Sequence, residues 1–322
     1  MFPVNCLETL QMLPRNGWVM VQYLLEFSRN RDTFEPMSSR RKFLKQLAMT
    51  GAVLPVIPEV LGAAARAESV LVMHTNDFHS RMDPFPEKHP KFGGQGGIAK
   101  LSTLIHGVRQ ENKQTLLLDC GDIFQGTPYF NVFGGVAEIQ WMNQAGYDAS
   151  TLGNHDFDNG VEKLASVLGH AQFPVVNCNY RFSGTALESI IKPWIVKQVG
   201  RKRIGITGAG INPEGLILDR LCKGIVYQDP VKAVQTAVDT LKSRERCDAV
   251  IVLSHLGYSY EGPQIDDKKL AAATHGIDLI LGGHTHTFLE QAEPVRNAKG
   301  KTVHVNQAGW AGLKLGRVAI EF

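Results

Sequence analysis

The chain is 322 residues long, enough for one large domain or two medium ones, and its 43% apolar and 8% aromatic content is ordinary for a globular protein. Its formal charge of +3 arises in residues 1–67, which hold eight Lys/Arg against five Asp/Glu; subtracting these from totals of 34 and 31 leaves 26 against 26 from Glu68 onward. A neutral body without a basic block sets nucleic acid aside as a partner, because that binding depends on clustered positive charge.

The first feature in chain order is Ser39-Arg40-Arg41-Lys42-Phe43-Leu44-Lys45, followed by a modestly apolar stretch over residues 47–61 and by Ala65-Arg66-Ala67. A basic segment, an apolar run too short to span a bilayer and a small-x-small cleavage site resemble a twin-arginine export signal. Pro55 and Pro58 count against a surface helix here, since each would break a helix interior. Residues 37–67 therefore read as the signal, with Met37 as initiator and residues 1–36 as an over-extended start. A genuine long leader from Met1 is the alternative. Residues 68–322 are expected to form one exported domain in the periplasm, with no membrane span in the mature form.

Of five cysteines, Cys6 lies in that extension. Cys120 and Cys178 sit inside apolar runs and read as small core residues. Cys222 and Cys247 stay open, because a chain that folds before export does so in a reducing compartment.

From Glu68 the pattern alternates strands with helices. Strands are expected over residues 69–75, 115–120, 147–152, 173–178, 249–253, 277–281, 301–307 and 316–322. Helices are expected over 98–110, 135–144, 161–170 and 230–243, where apolar residues recur at helical spacing. Residues 195–207 read as a hairpin whose turn carries Gly200-Arg201-Lys202-Arg203. The loop at 93–97 lacks the Lys-Ser/Thr of a P-loop and reads as the start of the next helix. His74 and His304 lie within strands and read as packing residues. Trp141, Trp194 and Trp310 are either core anchors or substrate neighbours. The alternation argues for an α/β fold, and such folds place ligands at strand ends.

Five strands end in ligand-capable residues: Asp77 with His79, Asp122, Asn154 with His155, His255, and His284 with His286. Each piece alone is common turn chemistry. Together they put neutral imidazoles and carboxylates at one end of a sheet, a donor set that suits Mn, Zn or Fe better than calcium.

The series Asp77-x-His79, Gly121-Asp122, Gly153-Asn154-His155-Asp156, His255 and Gly282-x-His284-x-His286 resembles the calcineurin-like metallophosphoesterase superfamily. The segments Thr75-Asn76-Asp77-Phe78-His79, Gly96-Gly97-Ile98-Ala99-Lys100, Gly121-Asp122-Ile123-Phe124-Gln125-Gly126-Thr127 and Gly153-Asn154-His155-Asp156-Phe157-Asp158 are similar to those of the bacterial 5'-nucleotidase family. The resemblance runs from Val70 to the C-terminus and includes Gln307-Ala308-Gly309. It implies a four-layer α-β-β-α sandwich of two mixed sheets, and two divalent ions as cofactors. Asp77, His79, Asp122 and His286 would hold one ion, Asn154, His255 and His284 the other, with Asp122 bridging.

His155 and Asp158 would be the catalytic pair, His155 acting as acid toward the leaving group. Two ions about 3.5 to 4 Å apart lower the pKa of a shared water and clamp the phosphoryl oxygens for in-line displacement. Asp156 has no ligand role to assign and is expected to brace the turn.

The implied activity is hydrolysis of a small phosphate ester, a 5'-nucleotide by the family's precedent. The alternatives are a 2',3'-cyclic nucleotide, a UDP-sugar, or service as a non-catalytic subunit beside a nucleotide-binding chain. The chain stops at Phe322, where the family's metal domain ends and its base-recognising domain would follow. The expectation is either a separate polypeptide that supplies that surface or a broader set of esters.

Overall fold

The computed structural model describes residues 68–322 together with a three-residue strand, β1 (Met20–Gln22). The signal read at 37–67 and the rest of residues 1–36 lie outside the described residues. After β1 come β2 (Ser69–Thr75), α1 (Ile98–Glu111), β3 (Thr115–Asp119), α2 (Pro128–Phe133), α3 (Val136–Ala145) and β4 (Ala149–Ser150). A 3-10 turn (His155–Phe157) leads to α4 (Val161–Leu168), β5 (Val175–Val176), β6 (Tyr180–Arg181) and β7 (Ile191–Lys192). Next are β8 (Trp194–Val199), β9 (Lys202–Gly210), β10 (Val226–Tyr227), α5 (Pro230–Ser243), β11 (Ala249–His255), α6 (Asp267–Ala273) and β12 (Leu279–Leu281). Strands β13 (Glu293–Arg296), β14 (Thr302–Asn306) and β15 (Gly316–Glu321) close the chain.

The strands form two mixed sheets, ordered β1-β15-β2-β3-β4-β5-β7 and β13-β14-β12-β11-β9-β8, with β6 and β10 as a separate ribbon. In the first sheet β2 through β5 and β7 run parallel, and β15 runs antiparallel beside β2. In the second, β9, β11, β12 and β14 are parallel, flanked by antiparallel β8 and β13.

The central strands read as continuous apolar runs because both of their faces are covered. Val70 and Val72 of β2, Leu116 and Leu118 of β3, Ile251 and Leu253 of β11, and Leu279 and Leu281 of β12 meet in one cluster between the sheets. The alternate residues Leu71, Met73 and Leu117 turn the other way, onto Leu101 and Ile105 of α1, Ile139 of α3 and Leu164 of α4. Val250, Val252 and Ile280 likewise face Val234, Val238 and Leu241 of α5 and Leu270 of α6. Three apolar layers between four layers of structure make the α-β-β-α sandwich, and each fully buried Leu or Val contributes about 1.5 to 3 kcal/mol.

Most expected elements are present with shifted ends. Helix α5 starts where Asp229 accepts the Lys232 N–H at 3.0 Å and Pro230 takes the first turn. The strand expected over 147–152 shrinks to β4, since the Asp148 carboxylate accepts the Leu117 N–H and the chain turns at Leu152 toward the site. The expected hairpin at 195–207 is β8 paired antiparallel with β9, with Gly200 in the turn at φ 57°. Helices α2 and α6 and strands β6, β7, β10 and β13 are too short to register as a period. His74 is buried and Asn306 Nδ2 lies 3.0 Å from its Nε2. Cys120, Cys178, Cys222 and Cys247 are all free. Among the described residues, no helix is long and apolar enough to cross a membrane.

Asp267, at the start of α6, is fully buried. Ser254 Oγ donates to its Oδ1, its Oδ2 has no partner among the described residues, and a Cβ on Gly282 would stand 2.0 Å from that oxygen. Burial pushes its pKa from 3.8 up to about 8 despite the Ser254 hydrogen bond. Its stabilising contribution is therefore fully present below the unfolded-state pKa and is lost as pH rises toward the folded one. Asp267→Asn is expected to flatten the dependence of the urea midpoint on pH between about 4 and 8. A variant that keeps the wild-type slope would show that the carboxyl is not protonated in the fold.

Candidate metal centre

Strand ends from both sheets deliver their side chains to one place. Asp77 and His79 follow β2, Asp122 follows β3, Asn154 and His155 follow β4, His255 ends β11, and His284 and His286 follow β12. One group gathers Asp77, His79 and His286, and a second gathers Asp122, His255 and His284, each with ligand atoms within 4.8 Å of one another. In the first, His286 Nε2 lies 3.1 Å from His79 Nε2 and 3.3 Å from Asp77 Oδ1. In the second, His255 Nε2 lies 3.1 Å from Asp122 Oδ2, and His284 Nδ1 lies 2.9 Å from Asn154 Oδ1. The groups touch: Asp122 Oδ2 is also 3.9 Å from His79 Nε2, and Asp77 Oδ1 is 3.9 Å from His255 Nε2.

This convergence strains the backbone. Asp77, His79, Asp122, His284 and His286 all have φ between 50° and 72°, the left-handed region that side chains avoid. Such residues cost on the order of 1 to 3 kcal/mol each and persist where their surroundings over-determine them. Here the loops brace one another. Asp77 N–H donates to Gly121 O at 2.9 Å, His79 N–H to Asp122 O at 3.0 Å, and Ala311 N–H to Asp77 O at 2.7 Å. Gly153 lets the β4 loop pass against the β3 loop, for a Cβ there would stand 2.1 Å from Asp122 Oδ1.

Asp156 is the brace between those two loops. Its Oδ2 accepts from Gly153 N–H at 2.8 Å and Asp122 N–H at 3.1 Å, and its Oδ1 from Ile123 N–H at 2.9 Å and Phe124 N–H at 3.3 Å.

The chemistry of the donor set fits bound cations. Nδ1 of His79 faces the carbonyls of Gln125 at 3.0 Å and Phe124 at 3.3 Å, and Nδ1 of His255 faces that of Cys120 at 2.7 Å. A carbonyl only accepts, so Nδ1 carries a proton in both rings, and Nε2 is the ring atom turned into the cluster. Burial holds the pKa of His79 below its usual value and lowers that of His284 to about 4, so both are neutral imidazoles ready to ligate. At His255 burial again lowers the pKa, but Asp122 and Asp77 outweigh it and raise the value to about 10. Two buried carboxylates thus demand a positive charge at a ring nitrogen that lacks a well-directed hydrogen bond. A divalent ion meets that demand for the whole cluster at once.

His155 stands at the edge of the cluster, its ring 5.4 Å from that of His79. Its Nδ1 lies 2.9 Å from Asp158 Oδ2, and both side chains are part-exposed. Burial lowers its pKa, yet Asp122 and Asp158 prevail and hold it above the ordinary value.

Three supports escaped the sequence reading. Asn76 Nδ2 donates to Asp77 Oδ2 at 2.6 Å and to Gly309 O at 2.5 Å, while its Oδ1 accepts from Ala308 N–H at 2.9 Å. Gln307 donates to Gly283 O at 2.5 Å and accepts from Thr285 Oγ1 and Thr287 N–H, which clamps the loop bearing His284 and His286. Trp310 stacks on His286. The sequence offered only their membership of conspicuous runs, Asn76 beside Asp77 and Gln307-Ala308-Gly309 before Trp310. Trp141, by contrast, is a core anchor, stacked on Phe78 at 4.8 Å.

Two mixed sheets packed face to face, with paired Asp/His groups at the carboxyl ends of their strands, define an α/β sandwich whose donor clusters fit a binuclear metallophosphoesterase site. Residues 70–288 match the calcineurin-like phosphoesterase family, and the chain belongs to it. It is 33% identical over 308 residues to a 5'-nucleotidase of Bos taurus, which covers 89% of this chain and 51% of that protein. It is 32% identical over 283 residues to the trifunctional nucleotide phosphoesterase protein YfkN of Bacillus subtilis, covering 78% of this chain and 18% of that one. Among solved structures, the 5'-nucleotidase precursor from Thermus thermophilus superposes with a TM-score of 0.70 at 33% identity, covering 78% of this chain and 51% of that chain. The chain spans about half the length of the 5'-nucleotidases it matches.

Replacing Asp156 by Asn would turn an amide N–H₂ toward backbone donors and leave at least one of them without an acceptor. The expected loss is about 2 kcal/mol or more of stability in chemical denaturation. A loss within about 0.5 kcal/mol, the range of neutral surface changes, would refute the bracing role.

Proposed function

We propose that the chain is an exported phosphomonoesterase that hydrolyses 5'-nucleotides at a two-metal site, with residues 68–322 as the catalytic domain. The observation that carries this reading is the pair of ligand groups touching through Asp122 with His155 and Asp158 at their edge. Asp77, His79, Asp122 and His286 would hold one divalent ion and Asn154, His255 and His284 the second, with Asp122 shared. Mn, Zn and Fe all suit this ligand set. When bound, such ions supply an activated water and neutralise the phosphoryl oxygens.

The chain's own residues do the rest. Asp158 accepts from His155 Nδ1–H, which orients the ring and favours its protonated form. Nε2–H is then free to give its proton to the departing alkoxide oxygen. The part exposure of His155 is consistent with a leaving group that arrives from solvent.

The 5'-nucleotidase names of the relatives favour nucleoside monophosphates. A second reading has the same site open a 2',3'-cyclic nucleotide or cleave a UDP-sugar; the name of the Bacillus relative, a trifunctional nucleotide phosphoesterase, supports only that such a site serves more than one nucleotide ester. Export to the periplasm by the twin-arginine route rests on the Arg40-Arg41 segment. A purely binding role is disfavoured by an intact ligand set and an intact His155–Asp158 pair.

Two outcomes are expected. Purified protein analysed for metals should carry two ions per chain and hydrolyse AMP faster than 2',3'-cyclic AMP or UDP-glucose; a metal-loaded protein inert toward all three would sink the enzymatic reading. His155→Ala should retain both ions while turnover falls by about 10²- to 10⁴-fold, the usual worth of proton transfer. Near-full activity in that variant would remove His155 from the mechanism.

A further inference from the structure

Two of the four imidazoles in the two ligand groups are oriented through hydrogen bonds from Nδ1 to carbonyls, His79 to those of Phe124 and Gln125 and His255 to that of Cys120, and Nδ1 of His284 is engaged by Asn154 Oδ1 inside its own group. His286 is different. Among the described residues no hydrogen bond reaches its Nδ1, its side chain is 37% exposed where that of His255 is 0%, and its backbone sits at φ 51°. A part-exposed ring on a strained backbone would sample several rotamers unless something else held it.

Trp310 supplies that hold. Its ring lies parallel to the imidazole of His286, with an interplanar angle of 3° and centroids 5.3 Å apart, an offset stack. The indole is in turn fixed edge-on by Phe85, at 5.6 Å and 70°, and by Phe92, at 6.3 Å and 74°. Phe85 is itself buried. Gln307 of the same segment holds both neighbours of His286, its Oε1 accepting from Thr285 Oγ1 and from Thr287 N–H. Residues 307–310 lie beyond residues 70–288, the stretch that the family match covers.

We infer that Trp310 is a positioning residue for the group Asp77, His79 and His286: its indole face takes the place of the missing Nδ1 hydrogen bond and aims His286 Nε2 at Asp77 Oδ1 and His79 Nε2. The group that contains the exposed imidazole then holds the more exchangeable ion, and Trp310 sets how exchangeable it is. The inference rests on the two-ion reading of the site.

Wild type, Trp310→Leu, Trp310→Phe and His286→Ala, loaded with Mn(II), are challenged with a chelator while metal per chain and thermal unfolding are followed. Trp310→Leu keeps apolar bulk but no ring face, and is expected to release one of the two ions about 10- to 100-fold faster than wild type, the usual effect of losing a group that orients a ligand. Trp310→Phe restores a stacking face and is expected to release it close to the wild-type rate. Adding Trp310→Leu to His286→Ala should speed release no further. Wild-type release from the Leu variant, Phe as fast as Leu, or an additive effect in the His286→Ala background would each overturn the role of Trp310. A wild-type chain that binds fewer than two ions would instead overturn the reading beneath it.

The metal-free wild type gives an independent measure should Trp310→Leu fail to fold. The His286 ring protons, identified by their loss in His286→Ala, are expected upfield of a free imidazole because of the indole ring current. Unshifted signals would end the proposal.

Discussion

Two carboxylates buried at the meeting point of two sheets are the constraint on which the site depends. Asp77 and Asp122 are 0% and 2% exposed, and their oxygens face imidazole nitrogens. Charges so placed are costly unless a positive partner is close. The fold answers by ringing them with His79, His255, His284 and His286, two of which carry their protons on the far side of the ring. A cluster that sets two buried carboxylates among ring nitrogens is poised for a cation, and the left-handed backbone of five of its members is the conformational cost of assembling it.

The two-sheet sandwich makes that assembly possible. Parallel strands release their loops on one side, and stacking two such sheets lets β2, β3 and β4 contribute from one and β11 and β12 from the other. The apolar layer between the sheets sets their separation. Loops on such a scaffold would splay if tied only to their own strands, so they are tied to each other: Asp156 joins the β3 and β4 loops, Asn76 joins the β2 loop to Ala308 and Gly309, and Gln307 holds the β12 loop. Each tie is a side chain meeting backbone groups of a segment distant in sequence, the arrangement that rigidifies a site without altering its donors.

Gly153-Asn154-His155-Asp156-Phe157-Asp158 shows how function divides along a short segment. Asn154 faces His284, His155 pairs with Asp158, Asp156 turns inward to four backbone N–H groups, and Phe157 is fully buried. The 3-10 turn over His155–Phe157 produces this by rotating successive side chains about 120° apart, so neighbours in sequence address different tasks.

The amino-acid sequence by itself determined the α/β alternation and the candidate donors. Continuous apolar strands alternating with amphipathic helices can be satisfied only by sheets covered on both faces, and Asp and His after strands carry their chemistry in their identity. Tertiary structure decided what depends on distance between remote segments: that Asp122 reaches both groups, that Asp156 is a brace, that the second oxygen of buried Asp267 has no partner among the described residues, and that of Trp141, Trp194 and Trp310 it is Trp310 that lies on a ligand-capable histidine. The physical reason is the same in each case. Periodicity and residue type report which face a side chain needs, whereas hydrogen bonds and ring contacts between remote segments exist only once the chain has folded.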